Sequence, residues 1–143
     1  MAEIRTMTIG DYDGVYDLWL NTPGMGINGT DDSREGIEKY IVRNPTTSFV
    51  AVDDGKIVGV IMAGHDGRRG FIHHTAVLPA YRGRGIATKL MKKAHELAGG
   101  EKDIAVYLIA NEDAVPFYEK IGMKRADDVM QYNHIEWTEW TVE

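Results

Sequence analysis

Residues 71–98 read FIHHTAVLPAYRGRGIATKLMKKAHELA, and this stretch decides the fold. The β-branched and aromatic run at residues 71–77 predicts a strand, and Pro79 ends it because proline lacks a backbone N–H donor. After Gly85, apolar residues recur at helical spacing on one face and lysines occupy the other, until the glycines at 99–100 interrupt the pattern. The stretch therefore predicts a strand and an amphipathic helix joined by a short turn.

The turn and helix start, RGRGIA at residues 82–87, suit an anionic ligand. Glycine lets the backbone approach a ligand closely, and the first N–H groups of a helix are unpaired donors at the positive end of its dipole. Arg82 and Arg84 add positive charge that favours a diphosphate. A solvated arginine-rich turn is the alternative. The sequence lacks the Gly-Lys-Ser/Thr of a P-loop, and Thr88 occupies the third glycine position of a dinucleotide motif.

A second segment, YLIANEDAVPFYEKIGM at residues 107–123, predicts a strand end, a polar turn and a short helix that Gly122 stops. With both segments in view, the chain resembles the GNAT superfamily of acyl-CoA-dependent N-acetyltransferases. Two family motifs carry the resemblance, Arg/Gln-x-x-Gly-x-Gly/Ala and an Asn followed by a Tyr and a Gly. The first is matched by Arg82, Gly85 and Ala87, and the second by Asn111, Tyr118 and Gly122.

The resemblance implies a single α/β (α+β) domain of the GNAT fold over residues 1–143. Its central sheet is mixed, mostly antiparallel, with six to seven strands and about four flanking helices. Strands 4 and 5 of that fold splay apart at a β-bulge, and the pantetheine arm of acetyl-CoA lies in the gap.

The resemblance also implies the acetyl-CoA contacts and one catalytic role. Backbone around Ala76 and Val77 would hold the pantetheine and polarise the thioester carbonyl, and the turn would hold the pyrophosphate. Tyr118 is the expected general acid, since a phenol with a pKa of about 10 can donate to a thiolate with a conjugate-acid pKa of about 8.5. The expected cofactor contacts are Ala76, Val77, Arg82, Gly83, Arg84, Gly85, Ile86, Ala87, Thr88, Asn111 and Tyr118.

Two adjacent histidines, His73 and His74, are candidates for the general base, because imidazole titrates near neutral pH. Side chains alternate along a strand, so the two are expected on opposite faces of the sheet. Packing under a helix is the alternative role for either one. Glu112, Asp113 and a bound water are further candidates for the base.

The acceptor amine is expected to bind at the loop between the first two helices, TPGMGINGTDD at residues 22–32. Long glycine-rich loops frequently carry function. The residues expected to line this pocket are Trp19, Met25, Asn28, Asp31 and Asp32, with the aspartates balancing a cation. Helix capping is a competing explanation for Asp32.

The last predicted helix has two candidate N-caps. Capping by Asn111 would put Pro116 inside the helix, where proline removes a hydrogen bond. Capping by Asp113 places Pro116 in the first turn, where a missing N–H costs nothing. The helix is therefore predicted to begin at or after Ala114.

The other elements follow from periodicity and turn signals. A polar loop at residues 64–70 links strands 3 and 4. The predicted elements are a strand at 2–8, a helix at 11–20, a helix at 33–43 capped by Asp32 or Ser33, a hairpin of strands at 49–52 and 56–63, a strand at 104–109, and a C-terminal β segment from Val129 to about Trp140.

Composition excludes several classes. The net charge of −6 argues against nonspecific nucleic-acid binding and mildly favours a cationic acceptor. The chain has no cysteine, which rules out disulfides, thiolate metal sites and a cysteine nucleophile, and no metal is expected. No apolar run of membrane-spanning length is present, so no membrane partner and a cytoplasmic location are expected.

The leading functional prediction is transfer of an acetyl group from acetyl-CoA to a primary amine of a small molecule by direct attack. The alternatives are acetylation of a protein or peptide and a noncatalytic acyl-CoA-binding regulatory domain. A homodimer is expected by resemblance, with Trp137 and Trp140 available for an interface or for the core.

Overall fold

The computed structural model describes residues 2–97, 105–110 and 112–132. The strands are β1 (Glu3–Thr6), β2 (Phe49–Asp53), β3 (Lys56–His65), β4 (Arg69–Val77) and β5 (Ala105–Leu108). The helices are α1 (Tyr12–Leu20), α2 (Arg34–Arg43), α3 (Ile86–Leu97) and α4 (Val115–Lys120), with 3₁₀ turns at Ile9–Asp11, Pro79–Tyr81 and Glu112–Ala114. Every predicted element up to α4 is therefore present within a few residues of its expected bounds.

The described strands form one sheet in the order β1 to β5, antiparallel except for the parallel pair β4 and β5. The β4–β5 pairing runs from Arg69 opposite Ala105 to Ile72 opposite Leu108. β5 ends at Leu108, the partner of Ile72, whereas β4 continues to Val77, so the end of β4 has no described β5 partner. This open edge agrees with the splay expected between strands 4 and 5.

The described residues contain five strands, against the six to seven predicted for the whole chain. The expected C-terminal strand was placed from Val129, but residues 129–132 have no regular structure and Met130 and Tyr132 are almost fully exposed. That starting point is wrong, because no described strand pairs with these residues. Residues 133–143, with Trp137 and Trp140, lie outside the described residues.

The sheet separates two apolar clusters. On one face, Ile61, Ile72 and Leu90 pack with the rest of α3 and contact α4. On the other face, Trp19 and Val60 pack with the apolar sides of α1 and α2. The alternation of side chains along β3 feeds both clusters, as a sheet covered on two faces requires.

The helix starts show which capping predictions hold. Ser33 caps α2, because its hydroxyl accepts a hydrogen bond of 3.0 Å from the backbone N–H of Gly36. The α-helix near the C-terminus begins at Val115, after a single 3₁₀ turn, as predicted. The N-cap there is Ala114 with no side-chain cap, so the expected capping by Asp113 is wrong. The 3₁₀ turn already supplies the geometry that a capping side chain would otherwise fix.

Asp11 ties β1 to the start of α1. Its carboxylate accepts two hydrogen bonds from the Arg5 guanidinium, at 2.9 and 2.7 Å, and one of 2.9 Å from the backbone N–H of Thr8. Asp11 is only 8% exposed. The Arg5 hydrogen bond is the largest cause that lowers the pKa of Asp11 below its usual range.

Asp11→Ala is expected to lower the free energy of unfolding by about 2–3 kcal/mol at neutral pH, because the Arg5 and Thr8 donors lose their acceptor. Since the pKa of Asp11 is lowered by folding, its contribution is present above the usual carboxyl pKa and is lost as pH falls through the folded-state value. Urea titrations over a pH series measure this. Asp13→Ala, on an exposed residue of α1, is the control, and a deficit that stays constant down to acid pH would contradict the assignment.

Candidate active site

A β-bulge in β4 shapes the site. Ile61 of β3 pairs with Thr75 and Ala63 pairs with Ile72, so one residue of β3, Met62, faces two residues of β4. The extra residue lies at His73 and His74. A bulge interrupts the alternation of side chains and bends the strand.

Both histidines therefore lie on the same face of the sheet. The His74 ring packs against Trp19 of α1, with centroids 4.8 Å apart, and the His73 ring packs against Tyr40 of α2 at 5.3 Å. Trp19 and Tyr40 belong to the same apolar cluster. The expectation of opposite faces is wrong, because the bulge adds one residue between the two positions and shifts the phase of the side chains.

His74 is held by a buried carboxylate. Its Nε2 lies 2.7 Å from Asp32 Oδ1, and the His74 side chain is 15% exposed while that of Asp32 is 4% exposed. The other Asp32 oxygen accepts a hydrogen bond of 2.9 Å from the backbone N–H of Asn28. The edge of the Trp19 ring contacts the imidazole at an interplanar angle of 64°. His74 is thus fixed from two sides and still reaches solvent.

His73 lies beside aromatic rings instead of a carboxylate. Its ring is 4.8 Å from that of Phe71 and meets the Tyr40 ring nearly at right angles, at 88°. Shielding from water lowers the pKa of His73, and the charge of His74 lowers it further, whereas Asp31 and Asp32 act in the opposite direction. His73 is therefore mostly neutral at neutral pH.

Tyr118 approaches β4 from the opposite face. It projects from α4 beside Phe117 and packs with the cluster under α3. It is half-buried and lies close to the side chain of Thr75, the residue after His74. Burial raises the pKa of Tyr118, and the Thr75 contact partly opposes that shift. The phenol is therefore protonated at neutral pH and able to donate.

The turn before α3 has the backbone that a bound anion needs. Gly83 and Gly85 have φ of +79° and +78°, a region that side chains with a Cβ rarely adopt. A Cβ at either position would meet no described atom within 4 Å apart from its chain neighbours, so open space adjoins both. The N–H groups of Ile86, Ala87 and Thr88 precede the first helical hydrogen bond, in which the Lys89 N–H donates to the Gly85 carbonyl at 3.1 Å, so they have no intrahelical acceptor. This arrangement fits a pyrophosphate.

The two arginines of the turn have other contacts. Arg82 Nε donates to the Val77 carbonyl at 3.3 Å, which links the turn to the end of β4. The Arg84 guanidinium lies 4.8 Å from the centre of the Tyr81 ring, and the Tyr81 hydroxyl donates to Asp53 at 2.8 Å. The guanidinium groups thus brace the turn while contributing positive charge to it.

The predicted acceptor residues differ in their accessibility. Trp19 is 0% exposed, Asn28 is 4% exposed and Asp32 is 3% exposed. The Asn28 amide oxygen accepts from the backbone N–H groups of Thr30 and Asp31, at 3.0 and 2.6 Å, so it orders the loop. The half-buried Met25 and the exposed Asp31 remain open to solvent. A contact between any of these residues and an acceptor stays a prediction.

Other features of the described chain lie outside this site. A cavity of about 720 Å³ is lined by Arg5, Asp17, Lys56 and neighbours on α1 and the β2–β3 turn, and by neither His74 nor Tyr118.

Across the described ranges, no group of three or more His, Asp or Glu could hold a metal ion. No helix within those ranges is long and apolar enough to cross a membrane. Asn111 lies outside the described residues.

Sequence reasoning missed two features of the site. Tyr40 was not expected beside a histidine, although its helical spacing with Ile37 and Ile41 places it on the buried side of α2. The link between Asp32 and His74 spans 42 residues and has no local sequence signal. The glycine-rich loop and the histidine pair were the available signals.

Comparisons with known proteins agree with this geometry. The family model described as "Acetyltransferase (GNAT) family" matches residues 12–123. Acetyltransferase SG1711 of Sodalis glossinidius is 34% identical over 131 residues, covering 90% of this chain and 91% of that protein. Acetyltransferase ECA0875 of Pectobacterium atrosepticum is 30% identical over 128 residues, covering 87% and 89%.

Solved structures share the fold at lower identity. The PaiA N-acetyltransferase of Thermoplasma acidophilum, solved in complex with coenzyme A, is 20% identical with a TM-score of 0.72, covering 90% of this chain and 93% of that one. A predicted acetyltransferase of Clostridium acetobutylicum, solved with acetyl-CoA, is 20% identical with a TM-score of 0.70, covering 93% and 96%. With the family model and the sequence relatives, these likenesses establish that the chain belongs to the GNAT family of acetyltransferases.

Proposed function

We propose that this acetyltransferase moves the acetyl group of acetyl-CoA directly to a primary amine of a small molecule, with His74 as general base and Tyr118 as general acid. The observation that carries the proposal is the arrangement at the end of β4. The strand loses its β5 partner after Ile72, and His74 lies on one face of the open segment while Tyr118 reaches it from the other.

The described residues fit acetyl-CoA along one continuous path. The β4 edge that parts from β5 offers backbone groups at Ala76 and Val77 for the pantetheine. The turn with Gly83 and Gly85 offers helix N–H groups for the pyrophosphate. Asn111 stays a predicted contact. When bound, acetyl-CoA supplies the acetyl group as a thioester.

Three parts of the chain then act on the reacting groups. His74 accepts a proton from the attacking amine nitrogen, as a bond forms from that nitrogen to the acetyl carbon. A backbone N–H of β4 stabilises the negative charge that develops on the carbonyl oxygen. As the carbon–sulfur bond breaks, Tyr118 donates its proton to the sulfur. Exchange with water restores both side chains.

The choice of a basic amine as the acceptor rests on the face of the sheet that α1 and α2 cover. His74 and His73 both lie there, and the exposed Asp31 adds negative charge close to His73. An amine that arrives as a cation is attracted by such a charge before it loses a proton. This supports a basic amine as the substrate.

Incubation of the protein with acetyl-CoA and a panel of small amines, amino acids and short peptides tests the function. Mass spectrometry identifies the acetylated product, and free CoA release gives the rate. N-acetylation of one class of small amine is the expected result. Acetylation of peptides alone would move the acceptor to a macromolecule, and acetyl-CoA binding without transfer to any acceptor would favour a regulatory domain.

Tyr118→Phe is expected to lower kcat by about 10- to 100-fold, because water must then protonate the thiolate. Affinity for acetyl-CoA should stay within a factor of about 2, since the ring is retained. Steady-state kinetics and calorimetry separate the two effects. Phe117→Leu, which changes the neighbouring ring, is the control for packing of α4. An unchanged kcat in Tyr118→Phe would remove the general-acid assignment.

A further inference from the structure

Asp32 makes more contacts than a helix cap or a substrate ligand needs. It is 3% exposed, and a buried carboxylate requires compensating partners. One oxygen lies 2.7 Å from His74 Nε2, and the other accepts from the backbone N–H of Asn28 at 2.9 Å. Its backbone carbonyl accepts from the Tyr12 hydroxyl at 2.7 Å. The carboxylate is thus directed at the imidazole by fixed donors.

We infer that Asp32 is the positioning residue that holds His74 as the Nε2–H tautomer and leaves Nδ1 as its only basic atom. The inference rests on the proposed function, because it concerns the base of that reaction. It removes Asp32 from the group of residues that touch the acceptor and places it behind the imidazole.

The chemistry of the pair sets the tautomer. An ionised carboxylate only accepts hydrogen bonds, so the ring nitrogen that faces it at 2.7 Å must carry the proton. In a neutral imidazole the other nitrogen then holds the lone pair. Nδ1 of His74 has no hydrogen-bond partner recorded anywhere in the described chain, so it is available to an incoming amine. The carboxylate also balances the charge that the ring gains when Nδ1 takes a proton.

Contacts around the pair fix the direction of Nδ1. The Trp19 ring meets the imidazole edge to face, with centroids 4.8 Å apart, and is itself 0% exposed. Gly36 of α2 leaves room for the loop, because a Cβ there would collide with the backbone of Thr30 and Asp31. The loop that carries Asp32 is thus packed against α2, and a ring bound to it has little freedom to turn.

Asp32→Asn reverses the tautomer. The Asn28 N–H donates to one Asp32 oxygen, so the amide oxygen of the variant must occupy that side. Its NH₂ group then faces His74 Nε2 and donates to it. The ring proton moves to Nδ1, and the lone pair is turned away from the acceptor. The variant side chain keeps the shape of aspartate, so the loop retains its packing.

Nuclear magnetic resonance of the full chain labelled with ¹⁵N-histidine reads the tautomer directly. Long-range ¹H–¹⁵N spectra are recorded about 2 pH units above the usual histidine pKa of about 6.5. His74→Gln assigns the signal. The expected result is Nε2–H in the wild type and Nδ1–H in Asp32→Asn. In Asp32→Asn, kcat is also expected to fall roughly 100-fold or more relative to the wild type, while KM for acetyl-CoA is unchanged.

Two variants separate positioning from loop stability. Asp31→Asn removes the neighbouring carboxylate and should leave the His74 tautomer as it is. Tyr12→Phe removes the hydroxyl bound to the Asp32 carbonyl, so it should lower stability without changing the tautomer.

An Nδ1–H tautomer in the wild type would overturn the inference, as would an Asp32→Asn chain that keeps Nε2–H. If Asp32→Asn does not fold, the wild-type spectrum decides the tautomer by itself. A wild-type protein with the Nε2–H tautomer and no acetyl transfer would count against the proposed function and not against the position of Asp32.

Discussion

His74→Gln is expected to lower kcat for acetyl transfer by roughly 10²–10⁴-fold, the range that general-base catalysis contributes. Glutamine retains an N–H that can donate to Asp32, so the loop keeps its contact while the basic nitrogen is lost. Affinity for acetyl-CoA should be unchanged, because the cofactor path runs along backbone groups. Steady-state kinetics and calorimetry on the same preparations check both statements.

Two other histidines serve as comparisons for this variant. His95→Gln, on the exposed side of α3, is the control and should leave the rate unchanged. A larger fall in His73→Gln than in His74→Gln would contradict the assignment, since His73 has no carboxylate partner of its own.

Gly85→Val is expected to weaken acetyl-CoA binding roughly 100-fold, which equals about 2.7 kcal/mol. Valine at a φ of +78° is strained by about 1–3 kcal/mol and relaxes by moving the turn. Its side chain would also occupy the open space beside the first N–H groups of α3. Both effects act where the pyrophosphate is proposed to bind.

Gly67→Val is the matched control for that variant. Gly67 has a φ of +92° in the turn between β3 and β4, and a Cβ there also meets no described atom within 4 Å beyond its chain neighbours. The two variants should lose similar amounts of stability in urea titrations. Only Gly85→Val should lose acetyl-CoA affinity, as measured by calorimetry. Equal losses of affinity in both would mean that the turn before α3 is not the anion site.

Local signals in the sequence were sufficient to predict the boundaries of the turn and of the helix after β4. Pro79 removes a ladder donor, and Gly85 takes a backbone conformation that other residues avoid, so both positions mark boundaries in any context. The splay of β4 from β5 followed from the family resemblance. It is visible in the pairing that stops at Ile72.

The bulge at His73 and His74 could not be predicted from β4 alone. It is a property of the register between β3 and β4, and each strand by itself has the composition of a regular strand. The bulge shifts the alternation of side chains along β4 by one residue. His73 and His74 therefore lie on the same face of the sheet instead of on opposite faces. β3 has a similar irregularity in its pairing with β2, since Ile57 and Val60, three residues apart, both pack in the cluster around Trp19.

Neighbouring polar residues left a second point open. Asp32 and Ser33 are both good helix caps, and local rules do not choose between them. The choice was made by a residue distant in sequence, His74, which binds the Asp32 carboxylate and leaves Ser33 to cap α2. Tertiary contacts of this kind decide whether a loop aspartate faces substrate or supports a catalytic side chain.

Calorimetric titration of the wild-type protein with acetyl-CoA tests the central claim most directly. The claim is that the open edge of β4 and the turn before α3 together form one acetyl-CoA site. Saturable binding of one acetyl-CoA per chain is the predicted result. No saturable heat up to millimolar acetyl-CoA would contradict the site and, with it, the roles assigned to His74 and Tyr118.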